Sequence, residues 1–266
     1  MKKKFLSIFI ALVLVLSFSL VTAVPVGAAP PADNPGKGPP EFDKVVFVHY
    51  EEDFALGKPP GTPGKGGGDK ELYSYSRIHW ADGDIPVYYW INLSGSSVAG
   101  DVITGITAAF DTWEDVEGSY MDFDYRGTTT EFSPGIDTAS PDYQNVVGWA
   151  DLEEFPNAIA VTVIWYIRGK RLIVDCDTAL NTDAYFLWTQ ADGIEDPDGT
   201  LLPDTDSYDV DVQNIMTHEA GHWLMLNDLY YDAAIEQTMY GWASDRELKK
   251  RSLDSGDIAG IQKIYD

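Results

Sequence analysis

Apolar positions recur along this chain with two different periods, and the changes of period divide it into elements. The run IPVYYWINL from Ile85 is dense in aromatic and β-branched residues and predicts a strand. After it, Val102, Ile103, Ile106, Ala109, Phe110, Trp113 and Val116 fall at helical spacing, giving one apolar face. Strands are predicted over Met121 to Tyr125, Asn145 to Trp149, Ile159 to Ile167 and Arg171 to Leu180, the last two joined by a tight turn at Gly169. Helical spacing returns at Asp211 to Leu226, with Asp209 and Asp211 as capping candidates, and again at Ser255 to Ile264. The order strand, helix, several strands, helix, helix predicts an α+β domain on a mixed sheet. It spans residues 72–266, long enough for one substantial core, and contains no internal repeat.

The N-terminal pattern is of another kind. Lys2, Lys3 and Lys4 precede an apolar run from Phe5 to Val26 that ends in Gly27, Ala28 and Ala29. A basic start and a small-residue exit predict a secretory signal peptide over residues 1–29 rather than a retained membrane anchor. Residues 30–71 are rich in Pro and Gly, as in NPGKGPP and KPPGTPGKGGGDK, with one β-like island from Lys44 to Tyr50. They read as a leader or spacer, with a propeptide as one form it can take. The first 29 residues hold three Lys and no acid, so the rest carries 15 basic against 43 acidic residues. That balance makes nucleic acid and anionic membrane surfaces poor partners and suits a secreted, monomeric protein. Cys176 is the only cysteine, which excludes an internal disulfide, and its apolar neighbours Leu172 and Val174 mark it as a buried strand residue.

The chemistry concentrates in THEAGHWLMLND, Thr217 to Asp228. On a helix His218 and His222 are four residues apart, so both imidazoles leave one face and can grip one zinc ion, with Glu219 beside them. Two neutral imidazoles leave room for a third ligand and a water. Zinc lowers the pKa of that water, and Glu219 takes its proton and passes it to a leaving amine. The third ligand is open between Asp228, six residues past His222, and a downstream acid such as Glu247.

These residues carry a resemblance to the metzincin metallopeptidases, and within them to the matrixin-like secreted enzymes. His218, Glu219, His222 and Asp228 stand at the positions of HExxHxxGxxD, and Met239 in TMYGW resembles the methionine of the turn beneath the metal. PVYYWINL with AAFDTWEDV is similar to the family's opening strand and helix, and SGDIAGIQKIYD to its closing helix, so the likeness covers most of residues 80–266. It implies a twisted mixed sheet with an active-site helix and a C-terminal helix, endoproteolysis by Glu219, and zinc on His218, His222 and Asp228. It also implies that the strand Ile159 to Ile167 is the sheet's edge above the cleft, where a peptide substrate adds as an extra strand.

Three departures accompany it. Met225 stands where the family has a turn glycine, with Asn227 expected to share that turn. The cysteine-containing switch of many matrixins is missing. Only His49 and His79 lie outside the motif, so a single zinc is expected. The acidic stretch Asp192 to Asp211, with DPDG at Asp196 to Gly199, reads either as a solvated loop or as a Ca2+ site. Tyr240 and Trp242 are either pocket walls or core aromatics. Alternatives to the peptidase reading are a gluzincin-type enzyme using Glu247, a zinc amidohydrolase acting on a non-peptide amide, and a non-catalytic binding protein. The intact Glu219 speaks against the last, since a binding module needs no general base.

Overall fold

The computed structural model describes residues 41–52, 71–98, 101–190 and 208–266. The expected signal peptide, most of the Pro/Gly-rich leader, and the DPDG of the acidic stretch lie outside the described residues.

The strands are β1 (Phe42–Glu51), β2 (Val87–Ile91), β3 (Phe123–Thr128), β4 (Val146–Ala150), β5 (Ala158–Ile167), β6 (Leu172–Asn181), β7 (Phe186–Thr189), β8 (Tyr208–Asp211) and β9 (Trp242–Ala243). The long helices are α1 (Val102–Glu114), α2 (Val212–Trp223) and α3 (Ser255–Tyr265). Seven strands form one sheet in the order β3-β2-β4-β6-β5-β1-β9, and β7 and β8 form a small parallel pair. Within the large sheet β3, β2, β4 and β6 run parallel, while β5 is antiparallel to β6. The α+β class and the mixed sheet are therefore as expected.

Each helix starts where a short acidic side chain caps it. Asp101 accepts from the Thr104 amide and Asp211 from the Asn214 amide, while Asp254 and Asp257 form a capping box at α3. Asp209, the other capping candidate for α2, lies within β8 instead. The apolar stripe of α1 buries Ile106, Phe110 and Trp113 against Ile215, Met216 and Trp223 of α2 and against Val87, Tyr89 and Ile91 of β2. Burying one side chain of the size of Phe110 contributes roughly 3 kcal/mol at most. Two indoles in this core are also tethers: Trp113 Nε1 donates to the Thr217 carbonyl at 2.8 Å, and Trp223 Nε1 to Thr178 Oγ1 at 2.9 Å. The second bond fixes α2 to β6, and with it the rotation of the face that carries the two histidines. Cys176 is fully buried on β6, and burial pushes its thiol pKa well above the ordinary value.

Two features differ from expectation. The island Lys44 to Tyr50 is not outside the domain's sheet: as β1 it pairs antiparallel with β5 from Phe42↔Ile167 to Tyr50↔Ala158, and parallel with β9 at Tyr50↔Trp242 and Glu51↔Ala243. In consequence β5 is not an edge strand, because β1 covers the side that was expected to be open. Alternation of apolar residues predicts a strand but not its neighbour, so neither point is visible from periodicity.

Candidate metal centre

Along α2 every residue from Asn214 to Trp223 is buried. His218 and His222 leave the same face, with ring centroids 4.8 Å apart. The helix ends in a Schellman arrangement in which Leu226 N–H donates to the Gly221 carbonyl at 3.1 Å and Met225 N–H to that of His222 at 2.6 Å. The left-handed residue this requires is Met225, at φ 61°, so the methionine in the glycine's place makes the turn itself and Asn227 does not. A left-handed conformation costs a non-glycine residue roughly 1–2 kcal/mol. Complete burial of the Met225 side chain offsets that cost.

Beyond the turn, Leu229 donates to the Met239 carbonyl at 2.8 Å and Gly241 to the Leu229 carbonyl at 3.0 Å. This ladder holds Asp228 next to the segment carrying Met239. That segment is anchored in turn by α3, since Asp257 accepts from the Thr238 and Met239 amides at 2.7 and 3.1 Å. Met239 reaches under α2 at Gly221, where an added Cβ would lie 2.2 Å from its sulfur and 2.8 Å from Trp113. Gly221 is thus needed for close approach rather than for its backbone angle.

The result is a cluster of His218, His222 and Asp228 whose ligand atoms all lie within 4.8 Å of one another. Asp228 Oδ1 is 3.1 Å from His218 Nε2 and 3.4 Å from His222 Nε2. Two donors each about 2.0–2.1 Å from a tetrahedral zinc stand about 3.3 Å apart. The other ring nitrogens are engaged: His218 Nδ1 with the Thr238 carbonyl at 2.7 Å, and His222 Nδ1 with the Leu226 carbonyl at 2.8 Å. A carbonyl only accepts, so each Nδ1 carries the proton and each Nε2 presents a lone pair. Two lone pairs and a carboxylate oxygen then face one another, and none of the three buried atoms makes a hydrogen bond. Only a proton or a cation relieves that arrangement, and the donor set fits zinc.

Electrostatics agree. Burial works against charge on all three groups, yet the neighbouring imidazoles hold Asp228 well below the usual carboxylate range. Burial lowers His218 to about 4, with Lys250 adding to it. His222 is raised, because Asp228 outweighs the burial that would lower it. Beside them, burial pushes Glu219 up to about 7. Its Oε2 accepts from Thr162 Oγ1 at 2.6 Å, and its Oε1 lies 3.1 Å from His49 Nδ1.

Among the described residues Glu247 is not grouped with the two motif histidines; its carboxylate accepts from the Ser244 amide at 3.1 Å and pairs with Lys249. His79 is also elsewhere, 3.2 Å from the Tyr75 hydroxyl. Trp242 packs edge-on to Tyr230 at 5.0 Å, and burial, then the nearby Asp228 carboxylate, raise the Tyr230 phenol. The Tyr240 side chain is half-buried at the margin of the main core.

Four groups at the site were not singled out from sequence. Thr162 looks like one polar residue in an apolar strand, and Tyr230 like a loop aromatic. Lys250 belongs to KKR, which reads as a solvated charge run, yet it is buried and donates to the Tyr240 and Trp242 carbonyls at 2.6 and 2.9 Å. His49 came from the leader. Its only sequence signal is that Phe47, His49 and Glu51 share one face of a strand.

A second acidic group, Asp142, Asp175 and Asp177, lies on the N-terminal part of β6 and the loop before β4. Burial, then the Asp142 carboxylate, raise Asp175 to about 7; burial, then Asp175 and Asp142, raise Asp177 well above the usual carboxylate range, and Asp175 Oδ1 has no hydrogen-bond partner. Of the stretch expected as a Ca2+ candidate, Asp211 is described, and it caps α2 and pairs with Arg251 at 2.5 Å. No protein-family model matches the chain, and no curated protein matches it significantly.

Proposed function

We propose that the protein is a secreted, zinc-dependent endopeptidase, with one zinc held by His218, His222 and Asp228 and with Glu219 as the general base. The observation that carries this reading is the convergence of three buried, unpartnered ligand atoms at zinc-like spacing beside a fourth, protonatable carboxyl group. When bound, zinc supplies Lewis acidity, lowering the pKa of a water and polarising a carbonyl.

The chain's own residues do the rest. A carboxyl group with a pKa near 7 is matched to taking a proton from water and returning it to a leaving amine. Thr162 holds Glu219 Oε2, which leaves Oε1 as the oxygen that moves the proton once His49 is displaced. The Thr238 and Leu226 carbonyls fix the two imidazoles in the ligating tautomer. The substrate is a protein or peptide, and the acidic surface favours neither nucleic acid nor anionic membrane.

The test is zinc content together with cleavage of casein and a quenched peptide, with and without chelator, by wild type and Glu219→Gln. Because β1 lies over Glu219, each is assayed as intact chain and after a cut between residues 52 and 71. Zinc at one equivalent and chelator-sensitive cleavage lost in Glu219→Gln support the reading; cleavage unchanged in Glu219→Gln overturns it.

A further inference from the structure

We infer that Thr162, Thr178 and Trp223 form a one-way hydrogen-bond chain that fixes Glu219 and gives its two oxygens different tasks, Oε2 a permanent acceptor and Oε1 the carrier of the proton. This rests on the peptidase reading above and adds Thr178 and Trp223 to it as positioning residues that act through Thr162. The links are short and continuous. Trp223 Nε1 lies 2.9 Å from Thr178 Oγ1, Thr178 Oγ1 2.7 Å from Thr162 Oγ1, and Thr162 Oγ1 2.6 Å from Glu219 Oε2. All four side chains are buried, and the two hydroxyls have no other partner among the described residues. Glu219 Oε1 lies outside the chain, 3.1 Å from His49 Nδ1.

The strands place the two hydroxyls where packing alone has no use for them. Thr162 on β5 and Thr178 on β6 stand directly opposite each other in register. Their neighbours on the same face are Ala160 and Ile164 on one strand and Cys176 and Leu180 on the other, all part of the main core. A polar pair in that setting costs free energy unless both hydroxyls are bonded, whereas valine fills similar space without that demand. Glu219 and Trp223 are four residues apart on α2, so one face of the helix presents both to the sheet. The chain thus leaves the helix at Trp223, crosses β6 and β5, and returns to the same helix at Glu219.

Its direction follows from what each group can donate. A threonine hydroxyl has one proton, an indole N–H donates only, and a carboxylate accepts only. Trp223 therefore donates to Thr178, Thr178 to Thr162, and Thr162 to Glu219 Oε2. Reversal has nowhere to end. A proton on Oε2 would turn the Thr162 hydroxyl toward Thr178 and the Thr178 hydroxyl toward the indole N–H, which accepts nothing. Oε2 is thus held as an acceptor throughout the reaction. In turnover an O–H bond of water breaks and its proton joins Oε1; that proton then leaves Oε1 as the N–H bond of the leaving amine forms. The two hydroxyls neither gain nor lose a proton. Bonds in such a chain polarise one another, so a change at one end is felt at the other.

The experiment uses the zinc-loaded protein, intact and cut between residues 52 and 71, with wild type beside Thr178→Val and Thr178→Ser. Kinetics on the quenched peptide, zinc affinity and near-ultraviolet circular dichroism are read for each. Thr178→Val should lower kcat by about tenfold to a hundredfold while KM and zinc affinity stay within about twofold, the split expected when a reacting group is misplaced and binding is not. Thr178→Ser, which restores the hydroxyl, should recover about half or more of the wild-type kcat. A second measurement needs no turnover. In zinc-free protein labelled with nitrogen-15 at tryptophan, Thr162→Val should move the indole N–H resonance of Trp223 at the far end of the chain, and Thr162→Ser should leave it in place. The Trp113 indole, bonded to the Thr217 carbonyl, is the internal reference. Wild-type kcat in Thr178→Val overturns the inference, as does a fall that Thr178→Ser fails to recover or that loss of zinc accounts for. Should Thr178→Val lose its tertiary signal, the indole decides: a Trp223 resonance unmoved by Thr162→Val overturns the chain. If no arm hydrolyses peptide while that resonance responds to Thr162→Val and not to Thr162→Ser, the chain stands and the peptidase reading fails.

Discussion

Asp228→Asn tests the metal centre most sharply, because it keeps the size and one oxygen of the side chain while removing its charge. In the wild type the carboxylate oxygen lies 3.1 and 3.4 Å from the two Nε2 atoms, close to the edge of a tetrahedron around zinc, and all three are otherwise unpartnered. Closed protein sites bind zinc with roughly 10–16 kcal/mol. One anionic ligand of three therefore carries on the order of 4 kcal/mol, or about a thousandfold in Kd. By linkage the zinc-induced stabilisation falls by the same amount at saturating metal. At roughly 2–4 °C per kcal/mol for a domain of this size, the rise in Tm on adding zinc should shrink by about 8–16 °C. Zinc affinity is measured by chelator competition, and Tm by calorimetry of metal-stripped and reloaded protein. Glu247→Ala serves as the control and should keep wild-type affinity, since Glu247 binds the Ser244 amide and Lys249 and is not grouped with the two histidines among the described residues. Wild-type zinc affinity in Asp228→Asn, or its loss in Glu247→Ala, would refute the assignment.

Three other outcomes follow from the same geometry. Glu219→Gln should lower kcat/KM by about 10²–10⁴-fold on the opened enzyme while zinc affinity stays within a few-fold, checked by steady-state kinetics beside a metal titration. Gly221→Ala drives a Cβ to 2.2 Å from Met239 Sδ and 2.8 Å from Trp113, so a loss of about 1–3 kcal/mol is expected in denaturant unfolding, and an unchanged midpoint would show that the Met239 segment yields freely. Asp175 and Asp177 have raised folded pKa values, Asp175 to about 7 by burial and then Asp142, Asp177 by burial and then Asp175 and Asp142. The stability they contribute is present below the unfolded value near 4 and lost as pH rises through about 7. Asp177→Asn should therefore gain Tm over wild type as pH goes from 5 to 8, and a pH-independent difference would remove these carboxylates as the cause.

The helices, and the strands of β2 to β6, were legible because each buries one face, and burial imprints a period of 3.6 or 2 on the sequence. The HExxH positions were legible for the same reason: residues four apart on a buried helix must share a face, wherever that helix lies. Asp228 needed the resemblance as well, because nothing periodic says that a chain leaving α2 through a left-handed Met225 turns back toward the histidines. The turn depends on Leu229 pairing with Met239 and on Asp257 anchoring that segment from α3, contacts between loops of no fixed spacing.

His49 shows the deeper limit. It meets Glu219 across 170 residues, and the pattern Val45, Phe47, His49, Glu51 states only that a strand has an inner face. Which edge that strand joins is decided by backbone hydrogen bonds, and these are alike at every edge. A permanent core strand and a chain segment lying in a binding groove therefore leave the same mark on a sequence. What separates them is the ground beneath the strand. Ordinary core strands cover apolar neighbours, whereas the inner face of β1 covers two imidazoles with bare Nε2 atoms, a carboxyl group tuned to about 7 and a buried ammonium. Burying such groups costs free energy that a core strand has no reason to incur, and a groove built for chemistry does. The chemistry of the covered residues, rather than the pattern of the covering ones, is what sets β1 apart from a strand that covers only apolar neighbours.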